Sequence, residues 1–140
     1  MVTIRNDISK KNKFWVPKYR YMELKYMCMQ YEQMKKDYAA LSNSVKAISM
    51  DGMPRGSGNG RPTEDIAVRR MMIAEKISAI DKAASEAAGQ GLLRKMMMYS
   101  IVNEVAYDYL ELHFKKIVPV SRKTFYQKRR KFFWILDKII

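Results

Sequence analysis

Two long stretches of the chain repeat apolar side chains at alternating spacings of three and four. The first runs through Leu24, Met27, Tyr31, Met34, Tyr38, Leu41, Val45 and Ile48. That heptad rhythm predicts one long helix with a single apolar seam, and Pro17 suits its first turn. The second runs through Ile66, Ile73, Ile77, Ile80, Ala84 and Ala87. Thr63 is placed to cap it, Glu64 and Asp65 complement the positive end of its dipole, and Gly89-Gln90-Gly91 should end it. Between the two lies Asp51-Gly-Met-Pro-Arg-Gly-Ser-Gly-Asn-Gly-Arg-Pro62, which holds four of the six glycines. Neither helix nor strand is expected through such a composition. Two seams of similar length joined by a loop predict an antiparallel, coiled-coil-like helical hairpin. The same seams would alternatively serve a second copy of the chain.

Beyond Gly91 the spacing changes. Leu93, Met96, Met97 and Ile101 trace part of an apolar face from a helix starting near Leu92, and Tyr107, Leu110 and Phe114 continue it. Either one helix or two, broken near Val102–Ala106, fits this pattern. Lys115 to Val120 reads as a connector because Pro119 opposes helix. Ser121 is a good N-cap for a last helix from Arg122 to about Lys138. No alternating strand pattern of any length is present. The expectation is an all-α chain in three parts: a basic N-terminal arm (1–16), the hairpin (17–88, with its Gly/Pro-rich loop at 51–62), and a C-terminal helix-turn-helix region (89–140).

Charge sharpens this picture. The 140 residues carry 27 Lys or Arg against 14 acids, a net of +13. The last 26 residues hold nine of those bases and one acid, Asp137, a net of +8. Such a surface repels itself until an anionic partner takes up the charge, and nucleic acid is the commonest such partner, with an anionic membrane surface second. No stretch approaches the roughly 18 apolar residues of a membrane span. The first residues lack the apolar run of a signal peptide, and Cys28, alone, can form no internal disulfide. A soluble protein of the cytoplasm is expected.

In the last helix Phe125, Phe132 and Leu136, spaced seven and four, form an apolar stripe, while Arg122, Lys123, Tyr126, Gln127, Arg129 and Arg130 are assigned to the polar face. A short helix, a connector and a capped basic helix make the order of a helix-turn-helix, whose second helix lies in the major groove. In that geometry Arg122, Lys123, Tyr126 and Gln127 reach base edges, and Arg129 and Arg130 lie nearer the phosphates. RNA contact, a membrane-lying helix and a merely solvated face are the competing readings.

Sites for other chemistry are not evident. His113 and Cys28 do not make a zinc site, so no metal and no cofactor is expected, and no serine has the partners of a nucleophilic triad. The glycine-rich loop lacks the Gly-Lys-Ser/Thr ending of a P-loop and reads as a hinge. An enzyme is not expected. His113 is read as a helix-end residue, Cys28 as a packed thiol, and Trp15 and Trp134 as packing anchors. Lys10, Lys11, Lys13, Lys18 and Arg20 are read as a mobile arm able to add phosphate contacts.

The segment Val118-Pro-Val-Ser-Arg-Lys-Thr-Phe-Tyr-Gln-Lys-Arg-Arg-Lys-Phe-Phe-Trp-Ile-Leu-Asp137, together with Ser49-Met-Asp-Gly-Met-Pro-Arg-Gly-Ser-Gly58 between two long helices, resembles the RinA/ArpU-like phage transcriptional regulators. Their C-terminal ends resemble region 4 of bacterial sigma factors. The resemblance covers most of residues 40–140, and the first 20 residues have no counterpart in it. It implies a sequence-specific DNA-binding activator of phage late genes, acting in the bacterial host on double-stranded DNA, with RNA polymerase as a further partner and a homodimer as one possible state. Matching positions put Ser121, Arg122, Thr124, Tyr126, Arg129 and Arg130 in its recognition helix. Charge and spacing add Lys123 and Gln127. The rivals are a DNA-packaging subunit of the small-terminase kind, which would form rings, and an inhibitor that covers an acidic protein.

Overall fold

The computed structural model describes residues 12–50 and 62–140, with side chains assigned at 12–43 and 64–140. Among the described residues the regular structure is all helical, in six helices with no strand. They are α1 (Lys18–Met29), α2 (Tyr31–Met50), α3 (Pro62–Ala88), α4 (Leu92–Asn103), α5 (Tyr107–Phe114) and α6 (Arg122–Ile139). Asp51 to Arg61, most of the glycine-rich segment, lie outside the described residues, as do Lys10 and Lys11.

The single long first helix expected from the heptads is two. The chain tightens at Gln30 (φ −89°, ψ 3°), whose N–H donates to the Met27 carbonyl at 3.1 Å. The reason lies in the partners. Tyr21, Leu24 and Cys28 are buried on α1, which packs against α4 and α6. Tyr31, just past the break, donates from its hydroxyl to Asp81 on α3 at 2.5 Å. Tyr38 on α2 lies beneath the Arg70 guanidinium of α3, 5.5 Å from the ring centre.

The chain divides into two compact units. One comprises the segment up to Tyr31 with Ala79–Ile140, and the other Glu32–Ser78. The first unit is therefore discontinuous in sequence: α1 belongs with the C-terminal helices rather than with a hairpin spanning 17–88. Its core contains Leu24, Ile80, Met96, Met97, Ile101, Leu110, Phe125, Phe132, Phe133 and Leu136, each with at most 2 % of its surface exposed. In the second unit Met34 is buried, while Val68, Met71 and Met72 stay exposed.

Local chemistry accounts for the ends of most helices. α3 stops at Ala88 because Gly89 takes φ +78°, a conformation an L side chain resists. The break between α4 and α5 falls at Glu104 (φ 54°, ψ 50°), and α5 ends on Lys115 (φ 55°, ψ 32°). α6 begins where Ser121 Oγ accepts from the Thr124 amide at 3.3 Å.

The N-terminal segment is not free as far as residue 16. Asn12 Oδ1 accepts from the Phe14 amide at 2.8 Å, Phe14 and Val16 are buried, and the Phe14 ring meets Trp134 of α6 edge-on at 5.4 Å. Two large apolar side chains in an otherwise basic stretch give this segment a reason to dock.

Candidate nucleic-acid interface

The last helix is held by three others. Phe125, Phe132, Phe133, Ile135 and Leu136 face inward, with Phe133 against Tyr21 of α1 at 4.9 Å and Phe125 against Tyr107 of α5 at 5.4 Å. At 100° per residue, the opposite face carries Lys123, Gln127, Arg130, Lys131, Trp134 and Lys138. Lys123, Gln127 and Lys138 are exposed, and Arg130, Lys131 and Trp134 are half-buried. No carboxylate stands on this strip. Asp137, beside it, pairs with Arg20 of α1 at 2.6 Å.

The eight residues singled out in the sequence do not share one role. Lys123, Gln127 and Arg130 lie on the outward strip. Arg122 is exposed at the start of the helix, where its guanidinium meets Asp108 of α5 at 3.2 Å. Ser121 and Thr124 spend their side chains on each other at 3.0 Å and on the helix cap. Half-buried Tyr126 turns its hydroxyl towards α5, where it accepts from the Tyr107 amide at 3.0 Å. Ala106, the N-cap of α5, offers no side-chain acceptor, so Tyr126 supplies the missing one.

Arg129 must be taken off the surface. It is 4 % exposed and donates from Nη1 to Ser100 Oγ on α4 at 2.6 Å, and that hydroxyl donates in turn to the Val105 carbonyl at 2.5 Å. Burial pulls the guanidinium below its ordinary value, while Tyr21, by charge and hydrogen bond, and then Tyr126 and Glu104 oppose the shift. Glu104 also pairs with Lys25 of α1. The arginine thus ties α6 to α4 and to the α4–α5 break. The signal was in the spacing: position 129 is one turn beyond Phe125 and one before Phe133, on the apolar stripe itself.

Sequence reasoning also omitted Lys131 and Lys138. Both follow Gln127 at helical spacing, as a wheel centred on the buried phenylalanines would have shown.

Other singled-out residues have settled partners. Cys28 is fully buried, and desolvation pushes its thiol up to about 12 against a smaller opposing effect of Arg129. His113 is exposed in the last turn of α5 and stacks on Tyr99 at 4.0 Å. A groove of about 560 Å³ lies beside that pair, lined by Glu104, Val105, Ala106, Tyr109 and Leu112 among others. Among the described residues no three His, Cys, Asp or Glu side chains gather as a metal site, and no helix is long and apolar enough to cross a membrane. No protein-family profile, curated protein or solved structure matches the chain.

Proposed function

We propose that the chain is a sequence-specific DNA-binding protein that regulates transcription, with α5 and α6 as its helix-turn-helix and α6 as the helix that enters the major groove. One observation carries this reading. The face of α6 turned away from the core bears Lys123, Gln127, Arg130, Lys131 and Lys138 and no acid. Such a strip attracts phosphates, while Lys, Arg and Gln can donate to base edges in the groove. Arg122, Lys123 and Gln127, at the leading end, are assigned to base readout, and Arg130 and Lys131 to phosphates.

Within the second unit, the Arg70 guanidinium of α3 over the Tyr38 ring of α2, 5.5 Å from its centre, supports an α2–α3 hairpin. In the RinA/ArpU-like reading this hairpin is the body of an activator of phage late genes. It would act in the bacterial cytoplasm, with RNA polymerase and a second copy as further partners. A packaging subunit is distinguished by native mass spectrometry, which would give a closed ring instead of a monomer or dimer.

The direct test is selection of bound fragments from a phage genome, followed by anisotropy on the enriched site. Gln127→Ala should change which sequences are enriched. Arg130→Ala should weaken all sequences alike. Binding that is indifferent to both substitutions would refute the assignment of α6.

A further inference from the structure

Resting on the DNA-binding reading, we infer that residues 12–18 are a second DNA-contacting element: a basic strap laid on the trailing half of α6 that binds phosphates outside the groove. The strap is built into the fold. Phe14 and Val16 are buried, and Phe14 packs edge-on against Trp134 at 5.4 Å. Lys138 sits over the same indole, 3.3 Å from its centre, and Lys13 lies over the Phe14 ring at 5.3 Å. The two aromatic rings therefore carry an ammonium from each end of the described chain.

Their position follows from helical geometry. Trp134 and Lys138 continue the strip that begins with Lys123 and Gln127, so the aromatic pair lies on the side of α6 assigned to DNA. From Lys123 to Lys138 the helix rises about 22 Å at 1.5 Å per residue. The major groove is about 12 Å wide, so a helix entering it by its N-terminal turns carries its trailing turns out towards the backbone. Lys131, Lys138 and the strap occupy that overhang.

The electrostatics agree. Asp137 is the only acid in the last 26 residues, and Arg20, just beyond the strap, holds it at 2.6 Å and also donates to the Ile140 carbonyl at 3.3 Å. The one charge on α6 that would repel a phosphate is thereby cancelled. Lys13 and Lys18 remain exposed, and among the described residues neither pairs with a carboxylate.

The test uses the full chain and a labelled 30-base-pair duplex of random sequence, titrated by anisotropy across a potassium chloride series. Each phosphate neutralised contributes about −0.9 to the log–log slope, equivalent to roughly fivefold in affinity at 0.15 M salt. K13Q/K18Q should therefore flatten the slope by nearly two and weaken binding by more than tenfold at that salt. On the site enriched by selection from a phage genome, hydroxyl-radical protection should shorten on one flank only. F14A, which removes the anchor and keeps every charge, should reproduce part of both effects, with circular dichroism reporting that the helices remain. An unchanged slope and footprint in K13Q/K18Q overturn the strap while leaving α6 as the reader. A wild-type chain that binds no duplex overturns both.

Discussion

Arg129 offers the sharpest separation between folding and binding. Truncation by R129A removes a buried, charge-assisted hydrogen bond to Ser100, worth about 1.5–3 kcal/mol. It also empties the space that the aliphatic stem fills between α4 and α6, for which another 1 kcal/mol or more is expected. The total, about 3–4 kcal/mol, should lower the midpoint of thermal unfolding by roughly 10 °C or more. R129M keeps most of the volume and discards a charge that burial penalises. Replacing buried ions by apolar groups of similar size is often neutral or stabilising, so R129M should lie within about 1 kcal/mol of the wild type. Differential scanning fluorimetry and urea titration measure both variants. Duplex binding by R129M, tested well below its midpoint, should match the wild type within about twofold, whereas R130Q should bind several-fold more weakly at unchanged stability. Loss of DNA affinity in a fully folded R129M would show that the guanidinium reaches the nucleic acid after all, and the assignment of this residue would fall.

Three further outcomes follow from the same geometry. Ser121→Ala removes the side-chain acceptor for the Thr124 amide at the start of α6 and should cost about 1 kcal/mol in urea titration, with Ser121→Gly recovering most of it. Tyr126→Phe leaves the Tyr107 amide without its hydroxyl acceptor and should cost about 1–2 kcal/mol, seen also as faster amide exchange at the first turn of α5. Cys28 has a folded pKa raised from 9.0 to about 12, so its protonated form is favoured by folding. That stability is complete below pH 9 and is lost as pH rises from 9 towards 12, at up to about 1.4 kcal/mol per pH unit. Denaturant midpoints across that range should therefore fall more steeply in the wild type than in C28A, and a slope identical in the two would contradict the burial.

Elements governed by neighbouring residues were legible in the chain. Gly89 and Ser121 each announce a helix end through local chemistry, and α3 and α6 fall close to where the spacing put them, whereas the spacing fitted either one helix or two across α4 and α5. The outward side of α6 was legible in part, through Lys123, Gln127 and Arg130. Three features were not. The heptads run unbroken through Gln30 because a seam records which side chains are apolar, not that two successive stretches meet different partners. Arg129 was read by its charge, although its register is that of the phenylalanines. The docking of Phe14 on Trp134 depends on a contact between distant parts of the sequence, which no local window contains.

The pairing of α1 with α6 has a consequence for synthesis. Arg20 meets Asp137 across a separation of 117 residues, and the unit that holds both is interrupted by the whole of Glu32–Ser78. A ribosome releases the early part of this body long before the part it must clasp. The emerging α1 has to wait, with Tyr21, Leu24 and Cys28 unsheltered, until α4 and α6 have been translated. Closing so wide a loop is slow, because the chain must give up its freedom before the contacts between α1 and α6 can form.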